Sequence, residues 1–408
     1  MTTAIVLFTR DLRIHDNPAL ATATRSAGQV VPLFVVDPSV AAGANRRRFL
    51  AESLADLRES MRARGGELVI RHGDPATEAI RLARSVGARS VTVAGDVSAY
   101  AVRRERRLSE ACAEQRLSLT VLPGTTVVAS GSLKPSGGGA AYQVFTPFWR
   151  VWRAARWREV APAPRRILLP EGIEPGRLPE PGSAGGAGSP SAHAATGGES
   201  TGRRRVATWL RSLDGYLDGH DLLAQDRTSR LSPYLRFGCV SPLELATAAL
   251  RTPTQAAEAF VRQLCWRDFY YQVAGAFPAI TTRTIRAVAE DWRVDDDALA
   301  AWQQGQTGLP IVDAGMRQLR AEGWMHNRAR LLTGAFLTKH LRLDWRAGAR
   351  WFATWLLDGD VPNNYGNWQW VAGTGNDTRP NRTVNPIRQA RRFDPDGDYV
   401  RRYVPELA

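Results

Sequence analysis

The sequence predicts an N-terminal α/β domain built on a doubly wound parallel sheet, followed by an all-α C-terminal domain. Three observations carry this. Short β-branched runs alternate with helix-length segments through the first 130 residues, a stretch rich in Pro, Gly, Ala and Ser follows, and ten of the thirteen tryptophans fall after residue 202, where the alternation has stopped.

In chain order, residues 4–8 (AIVLF), 30–36 (VVPLFVV), 67–71 (ELVIR), 90–95 (SVTVAG) and 118–122 (SLTVL) read as strands, with helical segments such as Arg46–Arg64 and Tyr100–Arg116 between them. This domain is assigned residues 1–130. Residues 131–202 form a connector, and its part from 161 onward, culminating in PEPGSAGGAGSPSAHAATGGES, buries too little apolar area to offset its chain entropy and is expected to be a partly disordered linker. Residues 203–408 are expected to be helical. Ser241–Glu244 (SPLE) is a capping box with proline at the first helical position, and PIVDAGMRQLR has helical spacing of Ile311, Gly315, Met316 and Leu319.

Composition narrows the class. No apolar run approaches the ~18 residues of a membrane helix, and the N-terminus has five apolar residues with neither a basic region before them nor a small-residue cleavage site after them, so a cytoplasmic protein that meets no membrane is expected. Three scattered cysteines form no disulfide framework or zinc knuckle, and no metal is expected. The formal charge of +14 suits a polyanionic partner, although all but two of the 54 cationic residues are arginine, which equally reflects codon usage.

Four constellations could carry chemistry. In RTSRLSPYLRFG, Thr228, Ser229 and Ser232 gather hydroxyls beside Arg227 and Arg230, which suits a diphosphate; a polar helix cap is the simpler reading of that motif alone. Arg330 stands among apolar residues and needs a carboxylate, with Asp358 and Asp360 in the later LDGDVPNN as candidates for an internal ion pair. His326 reads as a hydrogen-bonded core histidine. Trp292, Trp302, Trp345, Trp351, Trp355, Trp368 and Trp370 read as core packing, base stacking or stations for one-electron hopping. Gln263 and Trp266, three apart, share one helix face and could read and stack on a base, or could sit half buried. With no nucleophile elbow, metal cluster, Walker loop or dinucleotide fingerprint, the chemistry falls to a bound cofactor.

The motifs TRDLRIHDNPAL, GDVSAYAVRRERRL, TPFWRVW, TSRLSPYLRFG, CWRDFY, TGLPIVDAGMRQLRAEGWMHNRARLL, LDWRAGARWF and DGDVPNNYGNWQWVAGTGNDTRP, in this order, resemble the DNA photolyase and cryptochrome family, most closely the bacterial class I cyclobutane pyrimidine dimer photolyases. The resemblance implies an antenna-bearing α/β domain and an all-α FAD-binding domain. Around FAD it places Tyr216, Thr228, Ser229, Arg230, Leu231, Ser232, Arg267, Asn327, Arg330, Asp358, Gly359, Asp360 and Asn364, with Asn364 facing flavin N5. Trp368, Trp345 and Trp292 match the photoreduction chain, from the flavin outward. Gln263, Trp266, Arg328, Trp370 and Gln389 match positions that contact DNA or the lesion, and Asp96 with Arg236 match an antenna site, for 8-hydroxy-5-deazaflavin rather than methenyltetrahydrofolate.

The implied reaction is light-driven repair of cyclobutane dimers in UV-damaged DNA, by an electron from excited reduced FAD to a flipped-out lesion, in a monomer with no protein partner. The alternative is a cryptochrome-like photoreceptor; the chain ends at Ala408 without a long signalling tail, which favours the enzyme, and a light-independent flavin oxidoreductase would leave the tryptophans and the charge unexplained. Some positions depart from the pattern. Gln263 stands where most such photolyases carry glutamate, His220 where related enzymes carry arginine at the lesion rim, and Asn327 and Leu331 where (6-4) enzymes need two histidines.

Overall fold

Strands buried on both faces need helices on both faces, and the first strands here are buried along nearly their whole length. The computed structural model describes residues 1–40, 42–181, 189–288, 290–376 and 384–407. Strands β1 (Thr3–Phe8), β2 (Gln29–Val36), β3 (Val69–His72), β4 (Ala88–Ala94) and β5 (Ser118–Leu122) form one parallel sheet in the order β3-β2-β1-β4-β5.

Helices α1 (Pro18–Ser26), α2 (Ala44–Arg62), α3 (Pro75–Ser85) and α4 (Ala99–Glu114) are the crossovers. Asn17 and Asp74, each followed by proline, and Ser98 cap three of them with side-chain oxygens. Alternation along β1 divides the core: Ile5 and Leu7 pack with α3 and α4 residues such as Ala79, Leu82 and Leu108, while Ala4, Val6 and Phe8 join Leu20 of α1 and Phe49, Leu54 and Leu57 of α2.

After α5 (Phe145–Ala154) and α6 (Glu199–Arg211) the chain is helical: α7 (Tyr216–Gly219), α8 (Ser232–Phe237), α9 (Pro242–Ala249), α10 (Gln255–Ala276), α11 (Asp296–Gln304), α12 (Pro310–Glu322), α13 (Asn327–Ala335, continued by a π turn over Phe336–His340), α14 (Trp345–Trp355), α15 (Val361–Ala372), α16 (Pro386–Phe393) and α17 (Asp398–Tyr403). Of the expected capping box the N-cap half forms, with Ser241 Oγ accepting from Glu244 N at 3.1 Å, while the Glu244 carboxylate binds Arg203 at 2.9 Å.

The two halves share a core, since Tyr234 and Phe237 of α8 and Leu243 of α9 belong to the same cluster as Phe8 and Phe49. A doubly wound sheet offers its ligand crevice at the carboxyl ends of the strands where the order reverses, here between β1 and β4. The C-terminus of α8 lies on that crevice: Leu12 N donates to Phe237 O at 3.2 Å, Arg13 Nη1 to Gly238 O at 3.0 Å, and a Cβ on left-handed Gly238 would meet Arg10 O at 2.0 Å.

The part of the connector expected to be a loose linker is bound along its described length. Residues 182–188 of it lie outside the described residues. Ile167 is buried and donates its N–H to Arg64 O, Ile70 N donates to Pro175 O, and Ser191 exchanges hydrogen bonds with the Asn45 amide. Backbone groups make most of these contacts, which composition does not reveal.

Candidate cofactor and nucleic-acid site

The turn between α7 and α8 is shaped by two non-glycine residues in the left-handed region, Asp226 (φ 49°) and Arg230 (φ 49°). Such conformations cost about 1–3 kcal/mol each and persist where surrounding contacts impose them. Arg230 Nε binds Asp226 Oδ1 at 2.7 Å, its guanidinium pairs with Glu322, and its Cζ lies 4.2 Å from the Trp324 ring centroid. The turn thereby carries Thr228, Ser229, Leu231 and Ser232 into a cavity of about 530 Å3. Trp324 Nε1 donates to Ser232 Oγ at 3.2 Å, while the buried Thr228 Oγ1 has no partner.

The opposite wall comes from α13, α15 and the segment between α14 and α15. Arg330 Nη2 binds Asp358 Oδ2 at 2.8 Å, the internal ion pair expected for these residues, and Asp358 Oδ1 is buried without a partner. Asp360 caps α15 through Asn363 N (2.8 Å) and also accepts from Arg10 (3.1 Å) and Tyr271 OH (3.0 Å). Asn364 Nδ2 donates to Ala349 O at 2.9 Å, leaving Oδ1 as the amide's free acceptor. Asn327, Gly359, Arg267 and Trp368 complete this part of the lining. Burial pushes the Tyr216 phenol up to about 12, with Asp221 adding to the effect, so it lines the cavity protonated.

Toward the mouth stand Gln263, exposed, with Trp266, Trp370 and Arg328. Trp266 is stacked on Phe145 with centroids 3.6 Å apart and planes within 4°. Arg328 is held by Asp221 through two hydrogen bonds of 2.8 Å. Burial raises the Asp221 carboxyl, but Arg328 outweighs it and keeps the group below the ordinary carboxylate value.

Some residues lie elsewhere. Gln389 is half-buried on α16, outside the cavity lining. Trp345 is fully buried behind the cavity, its Nε1 without an acceptor, and Trp292 lies further out, donating to Glu290 Oε2 at 3.4 Å. Glu290 also pairs with Arg346 at 2.6 Å, whose Cζ stands 4.8 Å from the Trp345 centroid.

Asp96 and Arg236, the positions matched to an antenna site, make different contacts. Asp96 is only 4% exposed at its side chain and is committed to Arg10 at 3.1 Å; burial pushes its carboxyl up, yet Arg10 holds it below the ordinary value. Arg236 lines the cavity described above, with a buried Nε lacking a partner, and burial, with Arg10 and Arg46 nearby, lowers its pKa to about 9. Sequence reasoning gave no role to Arg10, Tyr271, Trp324 or Asn363. Arg10 stands inside TRDLRIHD and Asn363 beside Asn364, so proximity to assigned motifs was the only signal.

The lining fits FAD. Unpartnered Thr228 Oγ1 and Arg236 Nε suit a diphosphate, and Asn364 Oδ1 is an acceptor for a ring N–H. Among the described residues no group of His, Cys, Asp and Glu is placed to hold a metal, and no helix is long and apolar enough to cross a membrane.

Comparison with known proteins agrees. Residues 4–166 match the DNA photolyase family model and residues 260–408 that of the FAD binding domain of DNA photolyase. A deoxyribodipyrimidine photo-lyase of Streptomyces griseus is 50% identical over 100% of this chain and 90% of its own. A bacterial class III photolyase from Agrobacterium tumefaciens superposes with a TM-score of 0.93 at 33% identity, covering 100% of this chain and 87% of that one. An archaeal photolyase from Sulfolobus tokodaii, whose structure holds two FAD molecules, gives 0.87 at 28% identity, covering 100% and 91%. With both family models matched, and with a cavity whose unpartnered donors and acceptors suit FAD, this chain belongs to the DNA photolyase and cryptochrome family, and its helical half is an FAD-binding domain.

Proposed function

We propose that this protein is a deoxyribodipyrimidine photo-lyase that repairs cyclobutane pyrimidine dimers in UV-damaged DNA. One observation carries the reading: the residues matched to FAD and those matched to the lesion open into one cavity, with Asn364 and Trp368 in the same lining as Gln263, Trp266 and Trp370. Bound FAD supplies a light-excitable one-electron donor. The chain's own residues bind, orient and exclude water.

Thr228, Ser229 and Ser232 with Arg236 would hold the diphosphate, and Arg330 is oriented for its role by Asp358. Asn364 offers Oδ1 because its N–H is tied to Ala349 O. Trp266 has one face covered by Phe145, so a lesion base can stack only on the other, a contact worth about 1–3 kcal/mol. Gln263 can donate to a pyrimidine carbonyl but supplies no negative charge. Arg328 keeps Nη1 for a backbone phosphate while Asp221 takes Nε and Nη2. The charge of +14 supports DNA as the partner. Trp345 and Trp292 would carry electrons inward from the surface.

An 8-hydroxy-5-deazaflavin antenna, with Asp96 and Arg236 as the matched positions, is part of this reading.

The test is direct. The purified protein is reduced with dithionite without oxygen, mixed with an oligothymidine carrying cyclobutane dimers and lit with blue light. Recovery of thymine absorbance that requires both light and reduced flavin is expected; no recovery with FAD bound and light-reducible would overturn the enzymatic reading in favour of a photoreceptor.

A further inference from the structure

Helix α6 turns Thr201, Arg204, Arg205, Thr208, Trp209 and Ser212 to one side, the spacing of a single helical face. That face borders a second cavity of about 590 Å3, closed opposite by Gly215, Tyr216 and the turn Asp226–Ser229. Tyr216, Thr228 and Ser229 are shared with the FAD cavity, so the two lie on either side of one strained turn.

The second cavity is cationic. Arg204 reaches Thr201 Oγ1 (3.0 Å) and Arg205 the Ser229 carbonyl (2.7 Å), while exposed Arg227 packs its stem against Gly219. The one carboxylate in the lining, Asp226, is already bound by Arg230 at 2.7 Å. Burial lowers the pKa of Arg205, with Tyr234 and Asp226 opposing and Arg230 adding to the shift.

Two buried groups in the lining lack partners. Trp209 is 7% exposed and its Nε1–H has no acceptor; Thr228 Oγ1 also lacks one, but it is the group assigned to the FAD diphosphate and so leaves Trp209 as the unmet donor of this cavity. A buried donor left unmade is costly, and a ligand oxygen would relieve it. The Trp209 ring meets Tyr216 (5.6 Å, 90°) edge-on and Phe260 (5.5 Å) at a tilt.

We propose that the second cavity is a phosphate-binding site separate from the FAD cavity, in which Arg204, Arg205 and Arg227 neutralise a phosphate group and Trp209 Nε1 donates to one of its oxygens. The separation rests on the reading that FAD fills the first cavity. The phosphate comes either from a small phosphorylated molecule or from a DNA backbone.

The test is calorimetric titration of the FAD-loaded protein with pyrophosphate at low ionic strength, with Arg227→Ala, Trp209→Phe and, as a control for general charge, Arg211→Ala, which lies on α6 outside the lining. One pyrophosphate per chain is expected, weakened at least tenfold by Arg227→Ala and by Trp209→Phe and unchanged by Arg211→Ala, with the flavin absorbance of every variant unaltered. A lesion-free duplex that displaces pyrophosphate and loses affinity in the same variants identifies the DNA backbone as the source; a duplex that does neither identifies a small molecule. No binding to FAD-loaded protein, or equal weakening by Arg227→Ala and Arg211→Ala, overturns the proposal. Binding only to FAD-free protein also overturns it, because the site would then be part of FAD's own. Failure to retain FAD shows separately, in the visible spectrum, and would count against the flavoprotein reading.

Discussion

Arg10, at the end of β1, lies 3.1 Å from Asp360, the residue that caps α15 beside the flavin cavity, 350 positions later in the chain. The same guanidinium holds Asp96 at 3.1 Å and meets Tyr271 OH at 2.6 Å. One cation therefore neutralises two buried carboxylates from the two halves of the molecule, at the crevice where a doubly wound sheet would otherwise take a ligand.

Arg10→Met keeps most of the side-chain volume but leaves Asp96 and Asp360 buried without their cation. Breaking a buried pair in this way costs about 3–5 kcal/mol. The urea midpoint should fall accordingly, and FAD should dissociate more readily because the cap of α15 loosens. An unfolding free energy within about 1 kcal/mol of the parent protein's would show that the network contributes little.

His326 gives a pH dependence of known sign. It is 2% exposed, and its Nδ1 accepts from Arg328 N at 3.1 Å at the start of α13. Burial lowers its pKa to about 4, with Arg328 and Arg330 also opposing protonation. The unfolded chain takes up this proton near pH 6.5 and the folded one does not, so stability is complete above about 6.5 and is lost as pH falls toward 4. At pH 5 the loss is about 1.5 units times 1.36 kcal/mol, or about 2 kcal/mol. His326→Asn keeps a cap acceptor and removes the titration. Between pH 7.5 and 5 it should lose about 2 kcal/mol less than the parent protein in urea unfolding; parallel curves would refute the assignment.

These effects mark what the sequence could and could not reveal. The runs of β1 and β2 were legible because their β-branched residues are buried on both faces, and the Arg330–Asp358 pair because a guanidinium among apolar residues demands a carboxylate. The Arg10–Asp96 contact was not legible for a geometric reason: which cation reaches a carboxylate 86 positions away depends on where β1 and β4 end. The backbone contacts of the connector at Ile167 and Pro175 were not legible, because a Pro- and Gly-rich composition does not advertise them. Trp209 and its cavity went unread because the unpartnered N–H exists only once α6 and the Asp226–Ser229 turn face each other.

Asn364→Asp tests the flavin-facing amide. The wild-type N–H is used by Ala349 O at 2.9 Å, and a carboxylate there has no hydrogen to give. It would meet the carbonyl oxygen unfavourably and would place negative charge beside the ring, opposing an anionic reduced flavin. Spectroelectrochemical titration should show the two-electron potential lowered by at least about 30 mV, a tenfold change in the equilibrium. An unchanged potential would mean that Asn364 does not face the flavin.

Trp345→Phe separates electron supply from repair. Trp345 is fully buried, yet its Nε1 has no acceptor, so phenylalanine removes an unsatisfied donor along with part of the ring. The cost should therefore stay below the about 3–5 kcal/mol of truncating a buried tryptophan to alanine, and the fold should survive. What the variant loses is the indole proposed as the middle station between Trp368 and Trp292, and phenylalanine is much harder to oxidise. Light-driven reduction of the oxidised flavin should fall at least tenfold, while dimer repair by dithionite-reduced protein stays within twofold of the parent. Retained photoreduction would remove Trp345 from the path. Loss of both activities with a normal melting temperature and FAD content would place it instead in the repair step itself.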